Sequence, residues 1–299
     1  MLVSRRDTRC TAHGARVSTL ALLHPRFRVH LVENERVICD DALALRAFDR
    51  KGELGRPVAT FLVEGRARLR WHGEERWLSP GAVALLPGKS GVEMRQEAEP
   101  RYGAIVVEWE PGTLFVERPG SLETREATPE ARAQALACAE RLRAGDREVL
   151  VPLRALFASL GLTPTAALPE ADEAERFAPV SEALDRALSL LDAQPMSVDL
   201  ERALALSARQ VNRVVSELNQ RYGFNAGTWR DARNRRRLLV AAALLSLRDV
   251  ALGEVARTVG YRSETALCRA FANAGLPSPG SIAALVADGA HPHSGGRDA

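Results

Sequence analysis

The sequence predicts an α+β protein with an all-β N-terminal domain and an all-α C-terminal domain. Between residues 29 and 116, short apolar runs alternate with turn residues, which is typical of strands in an antiparallel sandwich or barrel. Beyond residue 175, apolar residues recur every three or four positions, which is typical of helices. Together the two patterns predict a two-domain chain.

The composition is that of a globular protein that can bury a core in each domain. The chain has 299 residues, of which 46% are hydrophobic and 26% are charged. The longest apolar run is too short to span a bilayer, and the arginine-rich start lacks the pattern of a signal peptide. We therefore expect a cytoplasmic protein with no membrane partner. The cysteines lack the spacing of a zinc site or a disulfide framework, and we expect reduced thiols at Cys10, Cys39, Cys138 and Cys268.

The N-terminal domain is assigned to residues 1–120. Glycine and proline turns such as Gly65 and Pro87-Gly88 separate its apolar runs. The strand-like runs are residues 42–45, 58–63, 67–71, 83–86 and 102–109.

The middle of the chain, residues 121–174, is expected to hold helices and a linker. Thr128-Pro129-Glu130 predicts a helix start, because it combines a capping hydroxyl, a proline in the first turn and an acid. The helical pattern continues to Leu160, and residues 163–175 are typical of an exposed connection. The helical domain then covers residues 175–286, and we expect a disordered tail at residues 287–299.

The first helical unit of the C-terminal domain has the pattern of a helix-turn-helix. A short helix begins near Ser197, and Ser207 followed by Gln210 matches a capping box that starts a second helix. An apolar stripe runs from Val211 to Leu218 on one face of that second helix. The opposite face carries Arg209, Asn212, Arg213 and Ser216.

The same pattern returns 56 residues later, at Ser263. The stripe is now formed by residues 267–274, a short helix at residues 252–259 precedes it, and Gly260 supplies the turn between them. Two units in tandem are a stronger signal than one, since a single unit also occurs in helical bundles that bind no DNA. The outward face of the second unit carries Glu264, Thr265, Cys268 and Arg269.

A long helix, predicted at residues 228–247, joins the two units. Its length of roughly 30 Å suits two recognition helices that enter successive major grooves about 34 Å apart. Residues 176–269 contain 15 arginines and 10 acidic residues, a balance of +5 that fits contact with phosphates. The alternative for the arginines of this helix is a solvated face. The candidate phosphate contacts are Arg233, Arg236 and Arg237 of the linker helix, with Ser207 and Ser263 at the helix starts.

These residues resemble the DNA-binding domain of the AraC/XylS family of transcription regulators. The resemblance lies in residues 197–218, the arginine-rich linker helix, and the stretch from Gly253-Glu254-Val255-Ala256 through Gly260-Tyr261 to Ser278-Pro279. Ala205 stands where the family usually has glycine in the first turn. The resemblance implies that both units contact double-stranded DNA, most often in an activator that recruits RNA polymerase. By motif position, the contacting residues are Arg209, Asn212 and Arg213 in the first unit, and Glu264, Thr265 and Arg269 in the second.

The N-terminal domain resembles the cupin-like sensor module of the same family. The similarity lies in residues 65–71 and in the run from Leu78 to Gly88. Metal-binding cupins use clustered histidines and a glutamate, but only His72 lies near such a position, and we therefore expect neither a metal nor another cofactor. Trp71, Trp77 and Trp109 could line a pocket for a small-molecule effector, although aromatic residues in strands are more often core.

Residues 131–160 are amphipathic, and two arrangements suit them. They can pack on the barrel of the same chain, or, as the family resemblance implies, they can form a homodimer. The sequence therefore supports either an intrachain or an intersubunit role for this segment.

The leading hypothesis is a sequence-specific transcription regulator, an activator rather than an enzyme, with a small-molecule effector as a further expectation. Two alternatives stay open. The first is a cupin-type enzyme with a helical appendage, which would need a metal or a catalytic constellation. The second is a protein-interaction module whose helix-turn-helix units no longer contact DNA.

Overall fold

A computed structural model describes residues 1–40, 55–88, 92–98, 100–167, 174–192, 196–222, 227–247 and 250–288. The strand-like run at residues 42–45 lies outside these ranges. So do residues 168–173 of the predicted linker and residues 289–299 of the predicted disordered tail. Within the described ranges the protein is α+β, with antiparallel sheets followed by helices.

The strands form two antiparallel sheets. The larger sheet has the strand order β1-β2-β3-β10-β5-β8-β11, and the smaller has the order β4-β9-β6-β7. Apolar residues of both sheets, among them Leu62, Leu69 and Tyr102, pack against each other to form a core between them. The strands are β1 (Leu2–Cys10), β2 (Ala15–His24), β3 (Phe27–Glu35), β4 (Ile38–Asp40), β5 (Val58–Glu64), β6 (Arg66–Trp71), β7 (Glu74–Leu78), β8 (Ala82–Leu86), β9 (Val92–Glu97), β10 (Arg101–Trp109) and β11 (Glu123–Glu126).

Strands begin at Leu2, whereas the sequence predicted their start near residue 29. The missed strands β1 and β2 pair along their full length, from Leu2 opposite Leu23 to Cys10 opposite Ala15. The buried face of β1 includes the polar residues Ser4 and Thr8, so the apolar alternation that marks a half-buried strand is absent.

Two helices, α1 (Pro129–Ala144) and α2 (Leu150–Ser159), cover part of the outer face of the larger sheet. Thr128 caps α1 as predicted, since its Oγ1 accepts a hydrogen bond from the amide of Ala131 at 3.2 Å. The helical pattern predicted up to Leu160 is confirmed as two helices, because Gly145 takes a left-handed conformation (φ +74°) and ends α1 before α2 begins. The buried faces of both helices pack within the chain, and dimerisation through this segment stays a prediction.

The C-terminal helices form two clusters that match the two predicted units. The first unit comprises α3 (Ala174–Ser189), α4 (Ser197–Leu204) and α5 (Ala208–Tyr222), and α6 (Trp229–Leu244) is the predicted linker helix. The second unit comprises α7 (Leu252–Thr258), α8 (Glu264–Asn273) and α9 (Pro279–Asp288). Thr228 and Asp231 form a capping box at the start of α6. No helix in the described ranges is both long enough and apolar enough to cross a membrane.

Ala205 ends α4 in a left-handed conformation, with φ +52° and ψ +39°. Its amide donates a hydrogen bond to the carbonyl of Glu201 and closes the helix. A side chain in this region of backbone space costs roughly 1–2 kcal/mol, whereas glycine adopts it freely. The turn of the first unit thus has the backbone form expected of a glycine turn, although an alanine occupies it.

Replacing Ala205 by glycine is therefore expected to raise the free energy of unfolding by about 0.5–1 kcal/mol. The matched control is Ala203→Gly, because Ala203 is exposed inside the same helix and the change should lower that free energy by about 0.5–1 kcal/mol. Urea unfolding followed by circular dichroism measures both. Equal destabilisation by the two changes would contradict the left-handed turn.

Candidate nucleic-acid interface

The first helix-turn-helix places α5 as the sequence predicted. The side chain of Gln210 reaches back to the helix start, where its Oε1 accepts hydrogen bonds from the amide of Ser207 at 2.9 Å and from its hydroxyl at 2.8 Å. The stripe residues Val211, Val215 and Leu218 are buried against α3. The burial of this stripe fixes which face of α5 points outward.

The outward face of α5 presents the predicted polar side chains to solvent. Arg209, Asn212 and Arg213 are exposed, and Ser216 is half-buried. The Nε of Arg213 lies 3.8 Å from Oε1 of Glu217, one helical turn away. An exposed pair of this kind contributes little free energy, so the guanidinium can exchange this carboxylate for another partner.

The second unit repeats this construction with a glycine turn. The Oγ of Ser263 caps α8 by accepting a hydrogen bond from the amide of Ala266 at 3.2 Å. Gly260 has φ +80°, and a Cβ there would clash with the carbonyl oxygen of Leu191. Both the conformation and the close approach therefore require glycine. Leu267 and Phe271 are buried.

The outward face of α8 carries its predicted candidates. Glu264, Thr265 and Arg269 are exposed, and Cys268 is half-buried. The prediction that each unit buries an apolar stripe and exposes a polar face is confirmed. Whether these faces contact DNA stays a prediction.

The arginines of α6 do not share one environment. Arg233 is half-buried, and its guanidinium lies 6.0 Å from the ring centroid of Trp229. Arg236 and Arg237 are only 6% and 7% exposed. The prediction that Arg236 and Arg237 contact phosphates is therefore wrong for this arrangement, because both residues are buried. For Arg233, a phosphate contact stays a prediction.

Arg236 instead ties α6 to the N-terminal sheet. Its Nη2 donates to the Oγ1 of Thr8 and to the carbonyl of Val17, both at 3.0 Å. Burial lowers the pKa of Arg236 to about 10, and the nearby charge of Arg6 adds to this effect. Arg237 lies over the ring of Tyr261 at 5.4 Å, and burial also lowers its pKa.

A second tie joins α3 to the edge strand β1. The carboxylate of Asp185 accepts hydrogen bonds from the hydroxyl of Ser4 at 2.9 Å, the amide of Arg5 at 2.7 Å and the Nε of Arg6 at 3.1 Å. The amide of Asp7, further along β1, donates a hydrogen bond to the Oγ of Ser189 at 3.1 Å. Side chains of α3 thus accept hydrogen bonds from amides that have no partner strand at the edge of the sheet. Burial raises the pKa of Asp185, and the charge of Arg6 opposes this rise.

Further contacts connect the N-terminal strands to the second unit and to the segment that follows α6. The Nε2 of His13, in the turn after β1, lies 2.7 Å from the Oε1 of Glu254 in α7. The amide of Ile38 donates to the Oγ of Ser246 at 2.7 Å. Sequence reasoning missed these residues and Asp185. Only Asp185 carries a signal, since it is an acid on the apolar face of its helix, between Leu184 and Leu188.

The predicted tryptophan pocket is not formed. Trp109 is fully buried against Phe115, and its Nε1 donates to the carbonyl of Glu117 at 3.1 Å. Trp77 is 41% exposed, with the guanidinium of Arg66 4.7 Å from its ring centroid. The residue Trp71 is half-buried on the neighbouring strand β6. Trp109 belongs to the core, and it lies on a different sheet from the other two.

In the described ranges, no three histidine, cysteine, aspartate or glutamate side chains are grouped so that they could hold a metal ion. None of the four cysteines forms a disulfide within the described ranges, and reduced thiols stay an expectation. The expectation of no cofactor stays a prediction.

Comparisons with known proteins add little beyond this geometry. No protein-family model matches the chain, and no curated protein matches it. A crystal structure of ToxT from Vibrio cholerae is similar at 11% identity with a TM-score of 0.33, covering 87% of this chain and 98% of that one. YlbA from E. coli is similar at 15% identity with a TM-score of 0.29, covering 38% and 45%. At such scores neither similarity carries a function over to this chain.

The raised pKa of Asp185 has a measurable consequence for stability. Between the unfolded value near 3.8 and the higher folded value, the folded state binds more protons, so this carboxyl lowers the free energy of unfolding as pH rises. The Asp185→Asn variant lacks this contribution. We therefore expect the free energy of unfolding of the parent, minus that of the variant, to increase as pH falls from 7 towards 4.

Urea unfolding at several pH values measures this difference. Glu182→Gln is the control, because Glu182 is exposed on the same helix and pairs with Arg186 one turn away. A difference for Asp185→Asn that stays constant, or that falls with acidification, would contradict the buried carboxylate.

Proposed function

We propose that the protein is a sequence-specific DNA-binding transcription regulator, an activator and not an enzyme. In this proposal, α5 and α8 each enter a major groove of one duplex. The observation that carries the proposal is the presence of two helix-turn-helix units of the same construction, each with an exposed polar face on its second helix.

The internal repeat supports the assignment of the contacting residues. Counted from Ser207 and Ser263, Arg213 and Arg269 occupy the same position in their units, six residues on, and both are exposed. The buried pair Val211 and Val215 likewise corresponds to Leu267 and Phe271. Both units therefore have an exposed arginine at the same position, next to a helix face that packs into a core. Such an arginine is well placed to contact base edges.

The chemistry of the exposed faces fits the edges of bases. Arginine donates two hydrogen bonds to guanine, and asparagine can pair with adenine in the same groove. Arg209, Asn212 and Arg213 supply these groups in α5, where Ser216 adds a hydroxyl. Glu264, Thr265 and Arg269 supply the contacts in α8, and Glu264 could accept a hydrogen bond from cytosine.

Because Arg236 and Arg237 are buried, other groups must contact the phosphates. Ser207 and Ser263 lie at the starts of α5 and α8, where unpaired amides attract phosphate oxygens. Arg233 is the remaining candidate on α6. These contacts would position the helices without reading sequence.

The linker helix sets the scale of the site. The 16 residues of α6 make a rod of about 24 Å, shorter than the rod predicted from residues 228–247. The grooves are about 34 Å apart, and the width of the two units must supply the rest. Control by a small molecule, homodimerisation and a contact with RNA polymerase complete the proposal.

A site selected from a random DNA pool tests the proposal. Arg213→Ala and Arg269→Ala are each expected to reduce the preference for the selected site over scrambled DNA by about 1–3 kcal/mol, because each removes one paired contact to a base. Fluorescence anisotropy at one fixed salt concentration measures both affinities. Arg76→Ala is the control, since Arg76 is an exposed arginine of β7. If both variants kept the parent's affinity for both DNAs, α5 and α8 would not be the reading helices.

A further inference from the structure

We propose that a charged cleft on the outer face of the larger sheet binds a small organic anion, and that strand β1 transmits its occupancy to α3. The cleft has a volume of about 560 Å³, within the usual range of small-molecule sites. The binding site stands on its own geometry. Its role in regulation rests on the proposed function.

The cleft opens on the outer face of the larger sheet, and Tyr102 of the core between the sheets lines its inner end. Its floor includes Leu20 and Leu31, which belong to the sheet face that α1 and α2 cover further along. Helix α1 ends at Gly145 beside Val3, and the face beyond this point is left open. Side chains of β1, β2 and β3 and the last turn of α1 wall this open part.

The acidic residues of the walls are largely neutralised by arginines. The carboxylate of Asp7 forms ion pairs with Nε of Arg16 at 2.8 Å and with Nε of Arg9 at 3.3 Å. The carboxylate of Glu33 forms one with Nε of Arg143 at 2.8 Å. Burial would raise the pKa of Asp7, but the hydrogen bond and charge of Arg16, with those of Arg9, outweigh it and lower the pKa. The carboxylate of Asp7 therefore stays charged, and both carboxylates are occupied by arginines.

The positive charge in the cleft is in excess. Five arginines and four acidic residues line it, which leaves one unbalanced guanidinium. Arg5 donates to the carbonyl of Arg143 rather than to a carboxylate. Among the described residues, no ion pair engages Arg101, at the start of β10. Guanidinium groups recognise carboxylates through paired hydrogen bonds, and the apolar floor suits a hydrocarbon body. The ligand class is therefore a monoanionic organic acid.

Strand β1 lies between this cleft and the helical units. The side chains of Arg5 and Asp7 line the cleft, while the amides of the same two residues donate to Asp185 and Ser189 of α3. The alternate residues Ser4 and Arg6 point the other way and also bind Asp185. A ligand that favours one position of β1 therefore changes the free energy of its bonds to α3.

Three probes that differ only in their head group test the site: 4-phenylbutyrate, 4-phenylbutan-1-ol and 4-phenylbutan-1-amine. Calorimetric titration of the full chain should show one site for 4-phenylbutyrate and affinities at least about tenfold weaker for the alcohol and the amine. Arg5→Glu and Arg101→Glu should each weaken 4-phenylbutyrate binding about tenfold. Arg76→Glu, outside the cleft, should leave it unchanged. Equal binding of the three probes, or binding that both cleft variants leave intact, would overturn the site.

Amide hydrogen exchange tests the transmission without DNA. With 4-phenylbutyrate bound, exchange at Arg5 and Asp7 should change about fivefold in the parent protein, and not in Arg101→Glu. Binding with unchanged exchange would overturn the transmission. A parent chain that binds the probe and shows the exchange response, yet binds no DNA, would support this site and contradict the proposed function instead.

Discussion

The hydrogen bonds between the edge strand β1 and helix α3 are the constraint on which the arrangement of the molecule depends. An edge strand presents amides that need partners, and α3 supplies Asp185 and Ser189 for two of them. The raised pKa of Asp185 indicates that three donors do not fully compensate for burying its charge. The contact therefore specifies where α3 lies against the sheet more than it adds stability.

The same hairpin, β1 with β2, completes the cores of both helix-turn-helix units. Leu2, Ala21 and Leu23 belong to the apolar cluster of α3 and α5. Cys10 and Val17 belong to the cluster that α6, α7 and α8 form. Arg236 adds a polar tie from the middle of the hairpin to α6. The N-terminal strands are thus part of the packing of the helical domain, and they contribute to both of its apolar clusters.

Local signals in the sequence predicted most of the helical domain. They did not predict the contacts between distant segments. The caps at Thr128, Ser263 and Thr228 depend on residues three positions away, and the apolar stripes depend on one helix face, so both can be read along the chain. The burial of Arg236 depends on a strand more than 200 residues earlier, which no periodicity in α6 reports. Strand β1 was missed for a related reason, because Ser4 and Thr8 on its buried face pair with Asp185 and Arg236.

Equivalent residues of the two units have the same spacing, but the residue that forms the turn differs between them. The second unit uses Gly260, where the carbonyl of Leu191 and the guanidinium of Arg237 approach too closely for a side chain. The first unit uses Ala205 in the left-handed region and depends for its core on apolar residues of β1 and β2. Both units take part of their core from the hairpin, and the first unit also carries backbone strain at Ala205, so its stability has the smaller margin when the hairpin moves. A charged cleft on the opposite face of that hairpin is one strand away from the helix that supports α5, so binding there acts first on the first unit.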